Sequence, residues 1–145
     1  MNALAIVAAL APLLVTGGLA IVAVGEAAGS HPLTIGPPRG AAEAIAMGDP
    51  ATAVRLIESG AAVNDVGVIR AGILGDRPVL ATPLETAVIV NQAGTVEFLI
   101  GRGAEQPASL SCLAADAHAA AVRPQLHANQ SCQPGEALRV VLARP

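Results

Sequence analysis

A nine-residue pattern occurs twice in this chain and limits what it can fold into. The two copies are residues 53–61 (AVRLIESGA) and 96–104 (VEFLIGRGA). In each copy the apolar residues at the first, fourth and fifth positions fall on one face of a helix, and a Gly follows where a left-handed residue commonly ends a helix. One short helix cannot bury such a face alone, so the repetition predicts helices that stack on one another.

Another helix is predicted just before the second copy, which makes that copy part of a helical pair. Thr82 is suited to cap a helix, and Pro83 fits the first helical position, where its missing N–H has no cost. Leu84, Ala87 and Val88 then lie on one apolar face.

These residues carry a family resemblance. Residues 82–87 read Thr-Pro-Leu-Glu-Thr-Ala, which resembles the Thr-Pro-Leu-His-x-Ala signature of the ankyrin repeat, with Glu85 in place of His. Residues 60–64, Gly-Ala-Ala-Val-Asn, are close to the Gly-Ala-Asp-Val-Asn of that family. The turn inside each pair has Gly48 or Asn91, the residue types that best tolerate a positive φ. The resemblance implies an all-α solenoid of helical hairpins, with units at about 41–64 and 81–104.

The spacing of the two units departs from the ankyrin pattern. Gly60 and Gly103 are 43 residues apart, against a usual period of about 33. The additional residues lie between 64 and 81 and predict an enlarged, hairpin-like loop. In the ankyrin family such loops and the inner helices form the concave binding face. The resemblance therefore implies protein contacts at four residues, which are Asp65, Arg70, Asp76 and Arg77. The alternative is a solvated insertion that binds nothing.

The C-terminal part of the chain predicts a degenerate end to the stack. A third unit is drawn over about 108–129, but Pro124 falls inside its second helix, residues 119–126, at a cost of about 3 kcal/mol. Residues 135–144 predict a terminal helix. Since repeat arrays need capping units, this degenerate C-terminal cap is expected to close the exposed end. The repeat domain as a whole is assigned to residues 41–145.

The N-terminal segment is of a different kind. Residues 1–25 contain no ionisable side chain, and the apolar stretch 3–24 would span roughly 33 Å as a helix, enough for a hydrocarbon core of about 30 Å. It predicts a transmembrane helix that serves as a signal anchor. A cleaved signal peptide and a buried core helix are the alternatives. Residues 26–40 are rich in Pro and Gly and predict an irregular linker.

The predicted location is the bacterial inner membrane, crossed once. Eight Arg and no Lys, beside much Ala and Gly, are typical of GC-rich bacterial coding. Arg39 is the first Lys or Arg of the chain, so the positive-inside rule gives no orientation. The N-terminal position of the anchor and the pair of cysteines favour a periplasmic domain. Ankyrin domains are common in the cytosol, which favours a cytoplasmic one.

The two cysteines allow three interpretations. With two histidines between them, Cys112, His118, His127 and Cys132 read Cys-x5-His-x8-His-x4-Cys. This lacks the close ligand pairs typical of structural zinc sites. A disulfide in an oxidising compartment would close a loop of about twenty residues and stabilise the fold by roughly 3 kcal/mol. Two unpaired thiols are the remaining interpretation.

Composition argues against several functions. The net charge is −3 without a basic cluster, which argues against nucleic acid as a partner. Phe98 is the single aromatic residue, so a cofactor pocket would lack its usual walls. The carboxylates are scattered and no catalytic motif occurs. We therefore expect no enzyme activity, no cofactor and no small-molecule substrate.

The expected function is a membrane-tethered ankyrin-repeat module that binds a protein. An assembly subunit acting through its transmembrane helix and a small metal-binding protein are the alternatives.

Overall fold

The computed structural model describes residues 36–127 and 132–143. Within them it has six α-helices and two β-strands: α1 (Ala41–Ala46), α2 (Pro50–Glu58), β1 (Gly67–Ile69), β2 (Val79–Ala81), α3 (Pro83–Ile89), α4 (Ala93–Gly101), α5 (Ser109–Asp116) and α6 (Glu136–Leu142). All eight elements belong to one compact unit, Pro38–Pro145.

The first helical pair is α1 and α2. A tight turn joins the two helices, and Gly48 adopts a φ of +77° there. Asp49 then caps α2, because its side chain accepts a hydrogen bond of 3.0 Å from the backbone N–H of Thr52. Pro50 occupies the start of the helix, where it has no hydrogen bond to lose. Local sequence therefore specifies both the turn and the helix that follows it.

The second pair, α3 and α4, begins as the sequence predicts. Thr82 is the N-cap, and Pro83 is the first helical residue. Glu85, where ankyrin repeats have His, completes a capping box. Its backbone N–H donates to Thr82 Oγ1 at 3.1 Å, and its carboxylate accepts from the Thr82 N–H at 2.9 Å. Asn91 forms the turn to α4 with a φ of +56°.

Stacked helices form the core. Helix α1 packs against α2 and α3, and α3 packs against both α4 and α5. The largest buried apolar side chains are all aliphatic: Ile45, Ile69, Leu84, Val88, Val96, Leu99, Leu113 and Val122. Burying each is worth about 1.5–3 kcal/mol, and neighbouring helices supply the surface on which that burial depends.

Polar side chains link one helical unit to the next. The Asn64 side chain, after the first pair, donates to the Gly103 carbonyl at 3.3 Å and accepts from the Glu105 N–H at 2.9 Å. The Asn91 side chain, after α3, accepts from the Ala121 N–H at 3.0 Å. Because these bonds join equivalent turns, they fix the register in which the units stack.

The prediction of an all-α fold is wrong. Strands β1 and β2 form a two-stranded antiparallel sheet in which Val68 faces Leu80 and Ile69 faces Val79. The inserted segment was expected to form an enlarged, hairpin-like loop within an all-α domain. It places β-branched residues on both arms, and Ile69 and Val79 bury one face of the ladder on the helices.

The C-terminal part differs from the expected helical unit. A 3₁₀ turn, Arg123–Gln125, stands where residues 119–126 were expected to form a second helix. Pro124 lies in this turn, since it cannot donate the hydrogen bond that a helix interior needs. The turn still packs against α4 and α5.

The predicted anchor and most of the linker are not part of this description. Residues 3–24, expected to cross a membrane, lie outside the described residues, as do residues 26–35. Among the helices of residues 36–127 and 132–143, none is both long enough and apolar enough to span a bilayer.

Candidate interaction surface

The β-hairpin ends in an ordered tip, residues 70–78. The Gly72 N–H donates to the Gly75 carbonyl at 2.7 Å, and Gly72 has a φ of +87° that favours glycine. Ile73 and Leu74 are half-buried and pack against the core. The tip is therefore held down by apolar contacts, and it carries exposed residues at its end.

A buried carboxylate in α1 attaches the hairpin to the helices. Glu43 is only 1% exposed, and its Oε1 accepts from the Arg70 Nε at 2.6 Å and from the Arg70 backbone N–H at 3.2 Å. Its Oε2 accepts from the Arg39 N–H at 2.7 Å. One side chain thus joins the segment before α1, the helix itself and the end of β1.

The ionisation of Glu43 follows from these contacts. Burial raises the pKa of Glu43, but the hydrogen bonds and the positive charge of Arg70, with the bond from the Arg39 N–H, lower it further than burial raises it. The pKa therefore lies below the ordinary value of 4.5. The carboxylate is ionised at neutral pH, so the contact with Arg70 is an ion pair.

Sequence reasoning did not identify a role for Glu43. A signal was present in the chain, because Glu43 and Glu85 are each the third residue of their helix. Both side chains reach back to the backbone before the helix. The contact with Arg70 has no local signal, since the two residues are 27 positions apart.

The four predicted contact residues have different environments. Asp65 is exposed and precedes β1, at the base of the hairpin. Asp76 and Arg77 are exposed at the tip. Arg70 follows β1 at the tip end, but its guanidinium is engaged by Glu43. The structure thus brings three of the four to one end of the hairpin, and Asp65 lies at the other.

Two exposed valines add apolar surface to the hairpin. Val66 and Val68 are each 54% exposed. Val68 projects from the face of β1 opposite to the buried Ile69, because side chains alternate along a strand. Exposed apolar residues beside charged ones are typical of protein contact surfaces.

Helix α5 holds the C-terminal segment through two side chains. Cys112 is bonded to Cys132 in a disulfide, with 5.2 Å between the Cα atoms, so the disulfide interpretation agrees with the structure. One turn further along, the Asp116 carboxylate accepts from the Gly135 N–H at 2.7 Å and from the Leu138 N–H at 3.2 Å. These bonds, that from Gly135 above all, lower the pKa of Asp116 below its ordinary value.

A cleft of about 320 Å³ lies between α5 and α6. Leu110, Leu113 and Val141 contribute apolar walls, and Glu85 and Glu136 lie among the lining residues. The Glu85 carboxylate is already a hydrogen-bond acceptor of the capping box. The cleft is thus an apolar groove with an acidic edge. The buried Glu85 carboxylate at this edge stabilises the start of α3.

The zinc interpretation loses its sulfur ligands in this structure, because both cysteines are in the disulfide. His118 is exposed and forms a turn with a φ of +54°. Across residues 36–127 and 132–143, no three His, Cys, Asp or Glu residues come together as a metal would require.

Comparison with known proteins adds no relative. No protein family model matches the chain, and no curated protein and no solved structure matches it. The ankyrin resemblance stays a prediction from the sequence.

We expect Glu43→Gln to lower the free energy of unfolding by about 2 kcal/mol at pH 7, since charge-assisted hydrogen bonds contribute about 1.5–3 kcal/mol. Because the folded pKa is depressed, the contribution of Glu43 is present above pH 4.5 and is lost as the pH falls through the folded pKa. Urea denaturation followed by circular dichroism from pH 7 to pH 3 measures both effects.

Glu97→Gln is the matched control for Glu43→Gln, because Glu97 is an exposed residue of α4. We expect it to change stability by less than about 0.5 kcal/mol. Equal effects of the two substitutions would contradict a structural role for the Glu43 carboxylate.

Removal of the disulfide by Cys112→Ser with Cys132→Ser is expected to lower the free energy of unfolding by roughly 3 kcal/mol, because the unfolded chain gains loop entropy. Urea denaturation of the wild-type chain with and without a dithiol reductant measures the same quantity. The double variant, which has no disulfide, controls for other effects of the reductant. An unchanged wild-type transition on reduction would refute the stabilising role.

Proposed function

We propose that this chain is a non-catalytic protein-binding module whose partner contacts the tip of the β-hairpin. The observation that carries the proposal is a hairpin that is attached to the helices and has exposed charged residues at its tip. Glu43 ties the hairpin to α1 through Arg70. Within the described part of the chain, Asp76 and Arg77 are exposed and form no ion pair. A surface held in place before binding loses little conformational entropy when a partner docks.

The accessible surface favours the hairpin over the inner helices as the contact. Helix α6 packs against α5 and β2, so it covers part of the inner-helix side. The tip and the outer face of β1, with Val66 and Val68, remain exposed. The partner best suited to this surface has an apolar patch flanked by charges that complement Asp76 and Arg77.

The carboxylates support a non-enzymatic role. Glu43 is paired with Arg70, Glu85 completes the capping box, and Asp116 accepts from backbone N–H groups at the start of α6. A general acid or base needs a proton-transfer partner in a substrate site. These three side chains instead bind other parts of the chain, so their role is to stabilise the fold.

The proposed location is the bacterial inner membrane, with the module on the periplasmic side. The uncharged segment 3–24 supports the membrane location. The disulfide supports the periplasmic side, because disulfides persist in oxidising compartments. A C-terminal fusion to a phosphatase that is active only after export tests this. An inactive phosphatase, with activity of a cytoplasmic reporter at the same site, would refute it.

The contact is tested by placing a photo-crosslinking amino acid at position 76 or 97 of the full chain in its native host. We expect a partner to be captured at position 76 but not at position 97, which lies on α4. With the purified partner, exchanging the charges by Asp76→Arg and Arg77→Asp should weaken binding by ten-fold or more.

The control exchange is Glu97→Arg with Arg123→Glu, which also leaves the net charge of the chain unchanged. Both residues are exposed and lie away from the hairpin. We expect this variant to bind as the wild type does. If positions 76 and 97 capture the same proteins, or if both exchanges weaken binding equally, the hairpin tip is not the contact.

A further inference from the structure

We draw no further inference here: the strongest candidate, the open apolar groove between α2 and α4 that Val54 and Phe98 line, carries none, because nothing in the part of the chain that the structure describes shows what covers it.

Discussion

The place of the hairpin depends on the buried carboxylate of Glu43. A two-stranded hairpin is marginally stable by itself, and three-residue strands add few hydrogen bonds. Glu43 supplies what the hairpin lacks, because it accepts from the backbone and side chain of Arg70 while also accepting from the N–H of Arg39. Gly67 allows β1 to lie close to α1, since a Cβ at that position would be 3.2 Å from the Ala42 Cβ.

The helix boundaries were predictable because their causes are local. Thr82 and Pro83 start α3, and Gly60 and Gly103 adopt positive φ values after α2 and α4, as the repeated pattern indicates. The sheet was not predictable in the same way. Its strands are three residues long, and their stability comes from burial of Ile69 and Val79 against helices that are distant in sequence. Periodicity over so few residues does not distinguish a strand from a loop.

In the candidate surfaces, too, features with a local cause were predictable and features that depend on distant residues were not. The exposure of Asp76 and Arg77 follows from their place in a loop rich in Gly and Pro, which sequence reasoning could identify. The engagement of Arg70 by Glu43 could not be identified, because it needs the hairpin and α1 to meet. The sequence offered a disulfide between the two cysteines as one of three interpretations, but the packing position of α6 could not be predicted. It depends on Asp116, which has no sequence signal that links it to Gly135.

The central claim is that the Glu43 carboxylate holds the hairpin on the helical stack. The most direct measurement is the hydrogen-exchange rate of the Arg70 amide in the wild-type chain and in Glu43→Gln. The account predicts a protected amide in the wild type and exchange at least ten-fold faster in the variant. An Arg70 amide that exchanges equally fast in both chains would contradict it.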